Sequence, residues 1–181
     1  MSDPIVIEAY NPEWPNEFAA LAAPIRAALG DTALRIDHIG STAVLGLAAK
    51  PVIDMQISVA ALEPSALFAQ PLEALGYRFM AANPERTKRY FREPLGQARM
   101  HLHVRQRGSW GEQFALLFRD YLRENQQDRD LYAQQKQSLA IRYRHDREGY
   151  VNAKEPLIWQ IIQRANHWSQ ETGWQCGPSD Y

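Results

Sequence analysis

HIGSTAVLGLAAKPVIDMQISV, residues 38–59, decides the fold. Its second half, from Pro51 to Val59, alternates, with Ile53, Met55, Ile57 and Val59 on one side and Val52, Asp54, Gln56 and Ser58 on the other. Neighbouring side chains along a strand point to opposite faces, so this is a strand with one strongly apolar face. Just upstream a shorter alternating run, Leu34 to Ile39, breaks at Gly40-Ser41-Thr42. Glycine in such a turn lets backbone approach a ligand closely, and serine adds a hydroxyl, so the turn can cradle phosphate oxygens. The segment therefore reads as two strands of a sheet joined at a phosphate-compatible turn.

On the N-terminal side, Ile5 to Tyr10 forms a short strand or extended arm ended by Asn11-Pro12. Trp14, Phe18, Leu21, Ile25 and Leu29 recur at helical spacing, with Pro24 expected to kink the helix and Gly30-Asp31 to stop it. On the C-terminal side a helix is expected over Leu62–Leu75, stopped by Gly76. Strands follow at Tyr77–Met80, Lys88–Glu93 and Arg99–Arg105, between Asn-Pro and Pro-Leu-Gly turns. From Trp110 the period is helical, with Phe114, Leu117, Phe118, Tyr121 and Leu122 in one stripe. Further helices are expected over Leu131 to Tyr143 and Tyr150 to Trp168, and the tail GWQCGPSDY is expected to fray. The fold class is α/β of the α+β type, a mixed sheet with C-terminal helices. One domain is expected over 1–181, with its core at about 1–107, a helical part at about 108–170 and the frayed tail at 171–181.

Composition narrows the function classes. Hydrophobic residues at 45% and charged residues at 23% give an ordinary globular core rather than disorder. A net charge of −1 gives no reason to expect nucleic acid or a membrane surface as partner. The opening MSDPIVIEAYNPEW is acidic and lacks the apolar run of a leader, and no stretch approaches the roughly 20 apolar residues that span a bilayer. Cys176 is the single cysteine, which excludes an intramolecular disulfide and a four-cysteine zinc site. A cytoplasmic location is expected.

Several residues are candidates for chemistry. Asp54 stands on the less apolar face of its strand, where a carboxylate is costly unless it is exposed, paired or bound to metal. A hard cation such as Mg²⁺ takes oxygen ligands and shares them with substrate phosphates. His101-Leu102-His103 places both imidazoles on one strand face, able to bind one metal or contact an anion, or simply to form polar surface. Arg105 continues that face, within a stretch (85–107) holding Arg86, Lys88, Arg89, Arg92, Arg99, Arg105 and Arg107 against Glu85 and Glu93. Such a concentration suggests an anionic ligand or a solvated basic hairpin. Lys136 shares a helical face with Tyr132, Leu139 and Tyr143, and Lys154 shares one with Tyr150, Leu157, Ile158 and Ile161. Either each ammonium snorkels to water, or both reach a phosphate beside the sheet.

These residues resemble the GrpB family. The resemblance runs from Tyr10 and Trp14 through HIGSTAVLGLAAKPVID, Gly76-Tyr77, HLHV at His101–Val104, FRDYLR at Phe118–Arg123, and Tyr132 with Lys136, to Tyr150 with Lys154. It implies a nucleotidyltransferase-like core, in which two carboxylates alternate on one strand and a third comes from a later strand, together holding divalent metals. Gly40 and Ser41 match the turn and Asp54 matches the first carboxylate, but the second position falls on Gln56 and the HLHV strand has no acid. His101 or His103 is then the substitute ligand or base. In related chains the domain is fused to dephospho-CoA kinase, which points to a nucleotide-like or coenzyme A-related ligand.

Three readings follow. One is metal-assisted nucleotidyl or phosphoryl transfer, with Asp54 and His103 catalytic and holding Mg²⁺ or Mn²⁺. Phosphates would then lie on Gly40, Ser41, Thr42, Lys50, His101, Arg105, Lys136 and Lys154. Another is a phosphate-binding module that has lost its second metal carboxylate. The third is a metal-dependent hydrolase built on His101, His103 and Asp54.

Overall fold

The computed structural model describes residues 4–181. Five strands, β1 (Arg35–Ile39), β2 (Ile53–Val59), β3 (Arg78–Phe79), β4 (Lys88–Arg92) and β5 (Met100–Gln106), form one sheet in the order β1-β2-β5-β4-β3. The β2–β5 pairing is parallel and the other pairings are antiparallel, so the sheet is mixed, as expected. The helices are α1 (Trp14–Leu29), α2 (Ala66–Ala74), α3 (Trp110–Glu124), α4 (Gln126–Arg142) and α5 (Arg147–Thr172). No helix is long and apolar enough to cross a membrane.

The alternation along β2 sorts the two faces of the sheet. Ile53, Met55, Ile57 and Val59 join Phe91, Met100, Leu102 and Val104 in a core closed by Trp14, Phe18 and Ile25 of α1 and Phe68 and Leu72 of α2. Burying each such side chain contributes about 1.5–3 kcal/mol. The opposite face carries Asp54, Gln56 and Ser58 beside His101, His103 and Arg105, because β2 and β5 run parallel in the register Asp54↔His101, Gln56↔His103 and Ser58↔Arg105. β2 is an interior strand, so Asp54 is not at a sheet edge.

A second core holds the helices together and fastens the loop between β1 and β2. Val44 and Leu47 of that loop are buried among Leu117, Tyr121 and Leu122 of α3, Tyr132 of α4, and Leu157 and Ile161 of α5. The loop is thus clamped between sheet and helices. Two helix starts lie earlier than the apolar periodicity suggests, since side chains cap them: Asn125 accepts from the Asp128 N–H and Asp146 from the Gly149 N–H.

The tail does not fray. Ile36 N–H donates to Ser179 Oγ at 2.8 Å and His38 N–H to Asp180 Oδ2 at 2.9 Å, while the Tyr181 N–H donates to the Ile36 carbonyl. Arg35 reaches the Gly177 carbonyl at 2.7 Å, and Arg119 pairs with Asp180 at 2.7 Å. β1 is an edge strand whose unpaired backbone groups need partners, and the tail supplies them.

Candidate functional site

A cavity of ≈ 260 Å³ lies where the Gly40-Ser41 turn, the mouth of β2 and β5, and helices α4 and α5 meet. Ser41, Thr42, Lys50, Asp54, His101, Lys136 and Lys154 all line it, joined by Arg147 and Tyr150. Residues spread over more than a hundred positions of sequence thus converge on one space. The lysines do not simply snorkel to water.

Lys136 is buried, and its ammonium donates to Ser41 Oγ at 2.8 Å and to the Ala48 carbonyl. The same ammonium also lies 4.6 Å from the centroid of the Tyr132 ring. Lys50 and Lys154 lie against the ring of the buried Tyr150, at 4.2 and 4.7 Å from its centroid. Burial and the neighbouring cations Lys154, Arg147 and Arg99 push Lys50 down to about 8. Burial, and then Lys154, pushes Lys136 well below the ordinary lysine value. Burial also lowers Lys154, against a pull from Asp54. Burial is the first cause of each depression, and Asp54 opposes it at all three lysines.

The positive face continues past the cavity. Lys50 and Arg147 also line a neighbouring hollow with Arg99, whose Nε is buried without a hydrogen-bond partner. Burial, Arg147 and Arg92 lower the Arg99 pKa. Neither Arg99 nor Arg147 has an ion pair among the described residues. Four of the remaining cations of the basic stretch are spent elsewhere. Lys88 and Arg105 pair with Glu85 at 2.7 and 2.9 Å, Arg89 with Glu63 at 2.6 Å, and Arg92 with Glu93 at 2.9 Å. Arg105 is therefore held by Glu85 and lies outside the cationic cavity, contrary to its expected place among the phosphate contacts.

Asp54 stands opposite the cations. Its Oδ1 lies 2.7 Å from His101 Nδ1 and 4.0 Å from His103 Nε2. Burial works to raise its pKa, but the His101 hydrogen bond and the charges of His101, His103 and Lys154 hold it below the usual carboxylate value. Asp54, His101 and His103 can each offer one ligand atom within 4.8 Å of the others. His101 is thus committed to Asp54 first. Burial drives the His103 pKa to about 3, so its ring is neutral and a poor base, and it does not line the cavity. Gln56 is fully buried, its amide facing the Glu112 carbonyl at 3.4 Å, so the position of a second acid faces α3 and not the cavity.

The turn works differently from expectation. Gly40 does not line the cationic cavity; it has φ 72° and ψ −168°, and a Cβ there would sit 2.6 Å from Asp54 Oδ2. Its role is to leave room for Asp54. Thr42 Oγ1 is bonded to His38 Nε2 at 2.9 Å, and the His38 ring stacks on Phe18 at 4.8 Å. Arg147 is not among the candidates above, and its signal in the sequence is that Arg147, Tyr150, Val151 and Lys154 fall at the i, i+3, i+4, i+7 spacing of one helix face.

A family model described as GrpB protein matches residues 4–164. UPF0157 protein PA4798 of Pseudomonas aeruginosa is 42% identical over 167 residues, covering 90% of this chain and 68% of that protein. A protein of Mycolicibacterium paratuberculosis named Dephospho-CoA kinase is 35% identical over 197 residues, covering 95% of this chain and 48% of that protein. In three dimensions the chain is similar to the crystal structure of conserved protein GrpB from Enterococcus faecalis. The TM-score is 0.81 at 31% identity, over 90% of this chain and 99% of that one.

Proposed function

This chain belongs to the GrpB family, and on that premise we propose that it binds a small, multiply phosphorylated, nucleotide-like ligand in the Lys50–Lys136–Lys154 cavity and transfers a phosphoryl or nucleotidyl group from it to the oxygen of an acceptor hydroxyl or water, with the remaining nucleoside diphosphate or pyrophosphate as leaving group. The observation that carries the reading is the charge balance of the cavity: Lys50, Lys136, Arg147 and Lys154 face a single carboxylate, Asp54. Holding desolvated cations together is costly, and a phosphate chain relieves that cost at several of them at once. The hollow beyond, with Arg99, extends the same positive path and favours more than one phosphate. The likeness to about half of a protein named Dephospho-CoA kinase makes a coenzyme A-related ligand the first to try.

Asp54, His101 and His103 would hold one divalent ion beside the phosphates. One carboxylate and two imidazoles fit Mn²⁺ better than Mg²⁺, which prefers oxygen donors throughout. When bound, such an ion polarises a phosphate oxygen and offsets the charge developing on it. The chain's own part is to place the phosphates against Lys136 and Lys154, orient Asp54 through Gly40, and keep bulk water from the ammonium groups. A non-catalytic binder is the second reading, favoured by the neutral Gln56 facing α3 where a second acid would stand.

The test is a titration of the protein with tripolyphosphate and with Mn²⁺, followed by product release from a panel of nucleoside triphosphates and dephospho-coenzyme A. Lys154→Met is expected to lose tripolyphosphate but keep Mn²⁺, and Asp54→Asn the reverse. Release that is equal in wild type and Asp54→Asn would leave the binder reading standing and remove the transferase. Failure of wild type to bind any phosphate compound would remove both.

A further inference from the structure

Asp54 borders two spaces. On its other side lies a cleft of ≈ 480 Å³ that also reaches Gly40, with Trp110, Phe114 and Phe118 of α3 and Trp159 of α5 in its wall. Phe114 stands between the two indoles, 5.8 Å from each, edge to face. Trp110 is 67% exposed and Trp159 47% exposed, so the fold leaves both largely uncovered. Single exposed apolar residues are ordinary, but adjoining aromatic rings in a concave cleft next to a site carboxylate are not. Among the described residues the cleft holds no free cation. Arg105, at its rim, is paired with Glu85.

We propose that this cleft receives the planar aromatic ring of the same ligand whose phosphates occupy the cationic cavity, a nucleobase, with Trp110 and Trp159 as stacking surfaces. The proposal rests on the phosphate-binding reading and adds the other end of the molecule. The ligand then runs from ring to phosphates past Asp54, which lines both spaces. Most polar groups at the rim are already engaged, although the Arg105 Nε is buried without a hydrogen-bond partner. Glu85 pairs with Lys88 and Arg105, Thr87 Oγ1 donates to Glu85, and Ser109 Oγ accepts from the Glu112 N–H. Ring edges therefore find few hydrogen-bond partners, and the base is held by stacking, which accepts any of the common bases.

The test compares tripolyphosphate with ATP, GTP, CTP and UTP by calorimetric titration of the whole chain. All four nucleotides are expected to bind at least about fivefold tighter than tripolyphosphate, although they carry less charge, with purines ahead of pyrimidines. Trp110→Ala and Trp159→Ala should bring ATP down to the tripolyphosphate level while tripolyphosphate binding stays unchanged, which also shows that the variants fold. Trp110→Phe should keep most of the gain. If ATP and tripolyphosphate bind wild type equally, the ring site is overturned while the phosphate cavity stands. Tripolyphosphate weakened as much as ATP by the tryptophan variants overturns it too. So does a self-association that Trp110→Ala abolishes without any ATP preference, which assigns the cleft to a second copy. If neither compound binds, the phosphate reading itself has failed.

Discussion

Replacing Gly40 with alanine probes the link between backbone and site most sharply. At φ 72° and ψ −168° Gly40 occupies a region essentially reserved for glycine, so any side chain costs about 1–3 kcal/mol in backbone strain alone. The added Cβ would also lie 2.6 Å from Asp54 Oδ2, 3.1 Å from its Cβ and 3.2 Å from its Cγ. Asp54 must then swing away, which breaks its 2.7 Å contact with His101 and adds about another 1 kcal/mol. The sum, about 2–4 kcal/mol, corresponds to a melting temperature lower by roughly 4–16 °C for a domain of this size. Gly46→Ala is the control. Gly46 has φ 79° but nothing within 4 Å of an added methyl group, so it should show only the backbone cost, about 1–2 kcal/mol. Thermal denaturation measures stability, and the resonance of free Mn²⁺ during a titration measures the site. Gly40→Ala should weaken Mn²⁺ binding at least about tenfold, the equivalent of about 1.4 kcal/mol, and Gly46→Ala should leave it unchanged. A Gly40→Ala protein with wild-type stability and Mn²⁺ affinity would refute the reasoning.

Further outcomes follow from particular contacts. Burial, and then Arg123, holds His38 at about 4, below its unfolded value of about 6.5. Its neutral form therefore stabilises the fold fully above about pH 6.5, and that contribution is lost as the pH falls through 4, by at most about 3 kcal/mol. Urea denaturation between pH 7 and 5 should show a smaller loss in His38→Gln than in wild type; equal slopes would exclude His38 as the cause. Asp180→Ala removes one partner of the buried Arg119, which keeps Asp120 at 2.7 Å, so a loss of about 1–2 kcal/mol is expected by chemical denaturation. An unchanged stability would mean that the tail does not hold the edge of β1. Lys136→Met should leave the melting temperature unchanged or raised, since it removes a desolvated ammonium, while tripolyphosphate affinity falls at least about tenfold. A large loss of stability with affinity intact would make Lys136 a structural residue only.

Much of the fold was legible because it is written in local periodicity. The alternation Ile53, Met55, Ile57, Val59 gave β2 and its core face, and the apolar stripe from Phe114 to Leu122 gave α3. Asp54, Ser41, Lys50, Lys136 and Lys154 are candidates in the sequence, and the structure brings them to one cavity. What stayed hidden depends on partners distant in sequence. No local pattern says that Ser179 and Asp180 will bond the edge of β1, so GWQCGPSDY reads as a loose end. The basic run 85–107 reads as a ligand surface until Glu63, Glu85 and Glu93 are seen to neutralise much of it. Phe114 reads as core, because only the approach of α5 shows it flanked by two exposed indoles. Gln56 marks a missing acid in the sequence; the structure adds that this side chain faces α3 rather than the cavity.

Binding of a multivalent anion by the cavity's lysines, as proposed above, has a direct signature in proton linkage. Lys50 sits at about 8, and Lys136 and Lys154 are lowered as well, so at pH 8.5 part of the site is uncharged without ligand. A phosphate chain would raise those values and draw protons from solution. Tripolyphosphate titrated at pH 8.5 in buffers of different ionisation enthalpy should show net proton uptake, and both binding and uptake should fall in Lys154→Met. Absence of binding, or binding with no proton uptake and no dependence on Lys154, would contradict the account.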